Sequence, residues 1–194
     1  MERHRLQYLA LTEILCELPT RSMRMLHFAP EAFFREFFRE RFASYETADL
    51  EMENVDHLVD IQELPFAASS YDFVYASHVL EHVPADERAL TEIRRILRPG
   101  GVAVLPVPIV ADFTVEYPAP NPHEFGHVRA PGPDYFDRYK SHFRRVKVYW
   151  STSFPERYQT FVYQDRSHWP TPDCPLLPPS PGERHPDAVP VCYA

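Results

Sequence analysis

The sequence has only three cysteines, Cys16, Cys174 and Cys192, and they are odd in number and far apart. Such a set does not indicate a disulfide framework or a paired-cysteine metal site, so we expect unpaired thiols in a reducing compartment. No apolar run approaches the roughly 20 residues that cross a bilayer, and the N-terminal segment has no uninterrupted apolar signal core. We therefore expect a soluble cytoplasmic protein without a membrane partner.

The sequence also lacks an excess of basic residues. Its 20 Lys and Arg are outnumbered by 28 Asp and Glu, which gives a formal net charge of −8. Proteins that bind nucleic acid regardless of its sequence normally present a basic face to the phosphates, so this balance argues against a nucleic-acid partner. It favours a small-molecule or protein partner. With 44% hydrophobic content in 194 residues, the chain can form one domain with a substantial core.

Segments of strand length alternate with segments of helical spacing along the first hundred residues. This alternation implies parallel β-α-β crossovers, so the predicted fold class is α/β, with a doubly wound, mostly parallel sheet. The phenylalanines of the second helix recur at helical spacing and are predicted to form one buried face: Phe33, Phe34, Phe37, Phe38 and Phe42. The predicted strands are 23–28, 44–50, 56–61, 71–77 and 102–107, and the predicted helices are 3–18, one beginning at Glu31, and 84–97.

The segment 108–133 breaks this rhythm. It is rich in proline and polar residues and has no sustained period. A segment of this length inside a compact domain is uncommon unless it is a functional loop, so we predict a substrate loop or lid. The N-terminal helix within residues 1–20 is predicted to pack on the domain, and a cap over the active site is the alternative.

The C-terminal part of the chain divides into a regular and an irregular portion. A helix is predicted at 134–143, and strands at 144–150 and 157–164 are predicted to form an antiparallel end of the sheet. Residues 168–194 are too rich in proline for regular structure and are predicted to be an extended tail. Residues 1–167 would then form a single domain.

Ligands of open α/β sheets bind outside the carboxyl ends of the strands, where the strand order reverses. An ionised aspartate only accepts hydrogen bonds, so Asp49, with Glu51 as a near competitor, suits the two hydroxyls of a ribose. The alternative for Asp49 and Asp60 is that each caps a turn, which is common for aspartate. The candidate cofactor residues after the strands are Phe28, Ala29, Pro30, Asp49, Asp60, Ile61, Gln62 and Ser77, followed by His82 in the next turn.

Residues 60–108 carry four sequence elements in a fixed order. They are Asp60, Leu64–Phe66 (LPF), Val79–Val83 (VLEHV) and Leu97–Gly101 (LRPGG). In this order and spacing they resemble the second half of the cofactor domain of class I S-adenosylmethionine-dependent methyltransferases with a type 11 methyltransferase domain. The LHFAPE segment that precedes them is similar to one in small bacterial methyltransferase-like proteins, where it replaces a glycine-rich motif.

The resemblance implies S-adenosylmethionine as the cofactor and methyl transfer to an oxygen, or secondarily a nitrogen, of a small molecule. It also implies adenine binding by Asp60 and by the backbone amides of Ile61 or Gln62. The family usually has a glycine-rich loop after its first strand, because glycine permits close approach and positive φ. Either Ala29, Pro30 and the following helix N-terminus form a compact alternative seat, or the chain is a catalytically silent binding or regulatory partner.

Two histidines are candidates for a general base, because histidine titrates near neutrality. His127 is the first candidate, since Gly126–Arg129 (GHVR) resembles the segment between the fifth strand and the last helix of related methyltransferases. A simple surface histidine is the competing interpretation. His78 is the second candidate.

The segment from His78 to His82 also matches H-x-x-E-H, the inverted zinc-peptidase motif. A peptidase needs a further helix with a third ligand, whereas a parallel strand is predicted before this segment and LRPGG follows it. Some quinone-pathway O-methyltransferases have a Glu-x-x-Glu-His arrangement here, and this chain has His78 at the first position. A metal-dependent methyltransferase is therefore a third hypothesis. The favoured interpretation assigns no metal ligand and places His82 near the cofactor and His78 facing the crevice.

Overall fold

A computed structural model of the protein describes residues 2–163, 170–172 and 184–194. Within these ranges, no helix has both the length and the apolar character that a membrane span requires. The α-helices are α1 (Glu2–Cys16), α2 (Ala32–Arg39), α3 (Asp86–Ile96) and α4 (Phe136–His142). The strands are β1 (Arg24–Phe28), β2 (Ser44–Asp49), β3 (His57–Leu58), β4 (Tyr71–Ala76), β5 (Leu97–Val104), β6 (Val115–Asn121), β7 (His127–Ala130), β8 (Arg145–Trp150), β9 (Val162–Tyr163), β10 (Arg184–His185) and β11 (Ala188–Tyr193). Short 3-10 helices occupy Thr20–Ser22, Leu80–His82, Pro122–Glu124, Pro133–Tyr135, Ser151–Ser153 and Glu156–Tyr158.

The central sheet has seven strands in the order β3-β2-β1-β4-β5-β11-β8. The first five strands of this order pair in parallel, and β11 pairs antiparallel with both β5 and β8. The predicted α/β class, mostly parallel with an antiparallel C-terminal strand, is therefore confirmed. The chain runs outward from β1 to β3 and then returns to β4 on the other side of β1. The carboxyl ends of β1 and β4 thus form the switch point at which such sheets bind ligands.

Apolar residues cover both faces of the sheet, because alternate residues of a buried strand point to opposite sides. Met25 and Phe73 pack in one cluster with the buried residues of α1 and α2, whereas their neighbours Leu26 and Val74 pack in a second cluster with α3 and α4. Burying a side chain of this kind contributes about 1.5–3 kcal/mol. The two layers of helices hold the strand ends, and hence the switch point, in place.

The buried face of α2 is narrower than the sequence predicts. Phe34, Phe37, Phe38 and Phe42 are buried, but Phe33 is 53% exposed, with its ring 6.0 Å from that of Tyr8. At about 100° per residue, Phe34, Phe37 and Phe38 share one face of the helix, and Phe33 lies at the edge of that face, against Tyr8. The prediction of a buried Phe33 is wrong.

The proline-rich segment 108–133 contains more regular structure than its sequence indicates. Strands β6 and β7 form an antiparallel hairpin, whose pairing is interrupted between Glu116 and Asn121, where two prolines remove backbone donors. The buried Arg129 attaches this hairpin to the turn after β4, because its Nη1 donates to the carbonyl oxygens of Leu80 at 2.6 Å and Val83 at 2.7 Å. The segment is thus an anchored hairpin rather than an irregular loop.

The C-terminal residues differ from the predicted extended tail. Strand β11 lies between β5 and β8, and its Val189, Val191 and Cys192 have no exposed surface. The strand predicted at 157–164, at the end of the main sheet, is wrong, because these residues form a 3-10 helix and the short β9, which pairs with β10 in a separate sheet. Pro190 made a strand at β11 hard to predict, because proline has no backbone N–H. Its carbonyl oxygen still accepts a hydrogen bond from the backbone N–H of Leu105 at 3.2 Å. Residues 164–169 and 173–183, with Cys174, lie outside the described residues.

Candidate functional site

A crevice of about 460 Å³ opens at the carboxyl ends of β1, β2 and β4. It coincides with the switch point of the sheet, which is where the sequence predicts a cofactor. Pro30 and Ser77 lie outside its lining. The other predicted cofactor residues all line it: Phe28, Ala29, Asp49, Asp60, Ile61, Gln62 and His82.

Ala29 occupies the turn where a glycine was expected from the resemblance. Its φ is 46°, in the left-handed region that residues other than glycine rarely adopt, and its backbone N–H donates to the Ala48 carbonyl oxygen at 2.9 Å. This conformation costs an alanine about 1–2 kcal/mol, and such strain is concentrated at functional sites. The turn therefore has the positive φ that usually requires glycine, although the residue is alanine.

The start of α2 follows this turn. Its N-cap residue, Glu31, makes no side-chain capping hydrogen bond. The first backbone N–H groups of a helix have no partner within the helix, and they carry partial positive charge. Ala29 and the start of α2 thus form a turn and a helix end that fit a carboxylate.

Asp49 ends β2 and lines the crevice. Its Oδ1 accepts hydrogen bonds from the backbone N–H groups of Glu51 at 2.9 Å and Met52 at 2.8 Å. Asp49 therefore both caps the turn and lines the crevice. The cap fixes the orientation of the carboxylate, and Oδ2 provides further acceptor capacity.

Asp60 is held in a similar way after β3. Its Oδ1 accepts from the backbone N–H of Gln62 at 2.8 Å, and the side-chain amide of Gln62 lies 3.0 Å from both carboxylate oxygens. The Gln62 Oε1 in turn accepts from the backbone N–H of Ala85 at 3.1 Å. This chain of hydrogen bonds ties the loop after β3 to the start of α3 and fixes one wall of the crevice.

Gln7 of α1 anchors the N-terminal helix over the ends of the central strands. Its Nε2 donates to Ser77 Oγ at 2.9 Å, and its Oε1 accepts from the Tyr75 hydroxyl at 2.9 Å. Ser77 is buried by this contact rather than open to the crevice. Its structural position is therefore between α1 and β4.

His78 follows β4 and lines the crevice. Its φ is 54°, again left-handed, and its Nδ1 lies 3.1 Å from Oε1 of Glu81, which is 1% exposed. Burial by itself raises the pKa of the Glu81 carboxyl, but the hydrogen bond and charge of His78 outweigh it and lower that pKa overall. The two side chains form a histidine–carboxylate pair at the crevice.

His127 lies beside this pair rather than in the crevice lining. Its ring meets that of His82 edge to face, with centroids 4.6 Å apart, and its Nδ1 is 4.0 Å from Glu124 Oε2. Burial lowers the pKa of His127, which favours the neutral imidazole.

A cluster of three potential metal ligands forms here: a ligand atom of Glu81, one of His82 and one of His127 all lie within 4.8 Å of one another. This cluster was not predicted from the sequence, although the H-x-x-E-H match contained two of its members.

Comparison with known proteins supports the sequence resemblance. The methyltransferase domain family matches residues 41–105. A methyltransferase of a Mycobacterium species is 52% identical over 42 residues, which are 22% of this chain and 17% of that protein. Eight curated relatives that match this chain are each covered over less than a fifth of their own length.

Solved structures share the fold across nearly the whole chain. An S-adenosylmethionine-dependent methyltransferase from Mesorhizobium loti has a TM-score of 0.59 at 14% identity, with 97% of this chain and 98% of that chain covered. The 1,6-didemethyltoxoflavin-N1-methyltransferase of Burkholderia thailandensis has a TM-score of 0.59 at 17% identity, with 98% and 78% covered. The chain thus matches the methyltransferase domain family over residues 41–105 and shares its fold with solved S-adenosylmethionine-dependent methyltransferases.

Proposed function

We propose that the chain transfers a methyl group from S-adenosylmethionine to an oxygen, or secondarily a nitrogen, of a small molecule. The observation that carries this proposal is the His78–Glu81 pair at a crevice that two oriented carboxylates, Asp49 and Asp60, also line. The proposed base and the proposed cofactor seat thus share one site. The acidic net charge of this chain supports a small acceptor, as does the 1,6-didemethyltoxoflavin bound to the similar Burkholderia enzyme.

The residues of the crevice fit the parts of the cofactor. The Asp49 carboxylate is the proposed acceptor for the ribose hydroxyls, and Asp60 with the backbone amides of Ile61 or Gln62 is the proposed adenine site. The left-handed turn at Ala29, followed by the start of α2, is the proposed seat of the amino-acid part. When bound, S-adenosylmethionine supplies a methyl group on a sulfonium sulfur that is already strongly electrophilic.

His78 is the better placed of the two base candidates, because it lines the crevice. We propose that its Nε2 takes the proton of the acceptor hydroxyl or ammonium group. Glu81 Oε1 then stabilises the imidazolium through Nδ1, as a carboxylate orients and stabilises a catalytic histidine. His127 is the second candidate. Most of the rate enhancement would come from holding the acceptor in line with the methyl group in a site closed to water.

The β6–β7 hairpin and α1 are the proposed covers of this site. Phe113 is 74% exposed and Phe125 is 91% exposed, so the hairpin and the segment before it carry apolar surface that closure over a substrate would bury. Gln7 fixes α1 to Tyr75 and Ser77 at the end of β4.

The test is methyl transfer from cofactor labelled in the methyl group to a panel of small phenols, alcohols and amines. His78→Gln should lower kcat by about 10²–10⁴-fold and remove the limb of the pH profile that reports the base. His123→Gln, an exposed histidine on the hairpin, is the matched control and should retain both. A His78→Gln enzyme with an unchanged rate and pH profile would refute the assignment of the base.

A catalytically silent methyltransferase-like partner is the second candidate function. The strained Ala29 turn in place of a glycine loop is the observation that favours it. Calorimetric titration with S-adenosylmethionine and S-adenosylhomocysteine separates the two functions. Binding by neither compound at millimolar concentration would overturn the enzyme proposal in favour of the silent partner.

A further inference from the structure

Three potential metal-binding side chains converge beside the crevice from two distant parts of the chain. Glu81 and His82 lie in the 3-10 helix after β4, and His127 begins β7 of the hairpin. The buried Arg129 brings these elements together, because it donates hydrogen bonds to the carbonyl oxygens of that turn. The convergence is therefore built by the packing of the hairpin rather than by a surface coincidence.

Two of these side chains have a buried potential ligand atom that makes no hydrogen bond among the described residues. Glu81 is 1% exposed, and only its Oε1 is used, by His78, so that its buried Oε2 is unpartnered. His127 Nδ1 is likewise buried and without a hydrogen bond, at 4.0 Å from Glu124 Oε2. Buried polar atoms in native proteins are nearly always paired, so two such atoms in one cluster favour a shared ligand between them.

The chemistry of the cluster selects the class of ligand. Two imidazoles and one carboxylate suit divalent transition metals such as Zn²⁺, Co²⁺ or Fe²⁺, whereas Ca²⁺ and Mg²⁺ prefer oxygen ligands alone. The three donor atoms lie within 4.8 Å of one another, and metal bonds of about 2.0–2.2 Å require only a modest contraction of this set. His82 is exposed and has room to turn toward the other two.

We propose that Glu81, His82 and His127 bind one divalent transition-metal ion. Three protein ligands leave a coordination position open, as in catalytic rather than structural sites. His82 also lines the crevice, so the proposed ion lies beside the proposed cofactor site. Glu81 thus has two partners, with Oε1 on His78 and Oε2 on the metal. The metal site follows from ligand geometry and does not depend on methyl transfer.

The test uses Co²⁺ as a spectroscopic probe on the full chain without an affinity tag, after removal of bound metal by a chelator. The expected result is one Co²⁺ per chain, with visible d–d absorption of a low-coordinate nitrogen and oxygen site. His127→Ala and Glu81→Gln should weaken binding by about 10-fold or more, on the scale at which altered metal surroundings act. His123→Ala, four positions before His127 on the hairpin, should bind Co²⁺ as the wild type does.

Absence of saturable Co²⁺ binding by the wild type would overturn the metal site, as would unchanged binding by His127→Ala. Thermal unfolding of each variant shows whether it folds. If the buried substitution Glu81→Gln prevents folding, His82→Ala at an exposed position replaces it. Titration of S-adenosylhomocysteine into the same samples is a separate readout. A variant that loses Co²⁺ binding but retains cofactor binding supports the metal site. A wild type that binds the cofactor but no Co²⁺ overturns the metal site, while the proposed methyl transfer stands.

Discussion

Replacing Asp49 by asparagine tests the cofactor crevice with little change of shape. The aspartate Oδ1 caps the turn by accepting from two backbone N–H groups, and an asparagine oxygen can keep both hydrogen bonds. What the substitution removes is the negative charge and the acceptor capacity of Oδ2, since an amide nitrogen only donates. Stability should therefore change little, while binding of a ribose should suffer.

The size of the loss follows from the hydrogen bonds that a ribose would make. A hydrogen bond to a charged group contributes about 1.5–3 kcal/mol, so losing one weakens binding about 10- to 150-fold. Calorimetric titration with S-adenosylhomocysteine measures this change for Asp49→Asn. Glu51→Gln is the matched control, because Glu51 also lines the crevice but its side chain is exposed, and its Kd should stay within about 3-fold.

Asp49→Ala completes the series, because it removes the turn cap as well. It should lose the same affinity as Asp49→Asn and in addition about 1–2 kcal/mol of unfolding free energy. An Asp49→Asn protein that binds within about 2-fold of wild type would refute the ribose assignment. If Glu51→Gln were the weaker binder, the ribose carboxylate would be Glu51.

Five further substitutions, at four positions, test the fold and the pH response. Ala29→Val should destabilise the protein by about 1–3 kcal/mol in urea unfolding, because a β-branched residue resists φ of 46°, whereas Ala29→Gly should stay within about 1 kcal/mol of wild type. Val191→Asp should cost about 3 kcal/mol or more in thermal unfolding, and an unchanged Tm would show that β11 does not lie in the sheet. Burial raises the pKa of Glu46, but hydrogen bonds, led by that of Arg24, lower it to about 2. Unfolding therefore takes up a proton, and the free energy of unfolding falls as the pH drops from about 4.5 to about 2. Glu46→Gln should cost roughly 2–3 kcal/mol at pH 7 and remove this pH dependence. Burial lowers the pKa of His27 to about 3, so His27→Asn should flatten the loss of stability between pH 6.5 and 3, and an unaltered slope would refute its neutral, buried state.

The parallel part of the sheet was predictable because its longer strands are short segments between clear breaks, in regular alternation with helical segments. The strand predicted at 71–77 is β4 (Tyr71–Ala76), and the strand predicted at 44–50 is β2 (Ser44–Asp49). Since ligands bind at the carboxyl ends of such strands, the residues that follow them were also predictable. Asp49 and Asp60 line the crevice for this reason.

The features that escaped prediction depend on contacts between distant residues. Strand β11 contains Pro190, and only pairing with both β5 and β8 makes that segment a strand. The meeting of His127 with Glu81 depends on the anchoring of a hairpin by Arg129, which no local pattern reports. The left-handed Ala29 was hidden because local propensity favours glycine there, and tertiary packing overrides that preference.

The central claim is that this crevice, although it has no glycine-rich turn, binds the proposed cofactor S-adenosylmethionine. A crystal structure grown with millimolar S-adenosylhomocysteine tests this claim most directly. We expect density for the ligand in the crevice, with the ribose at Asp49 and the adenine beside Asp60. Ordered crystals with no ligand there, or with the ligand bound only at another surface such as the groove between Tyr8 and Phe33, would contradict it.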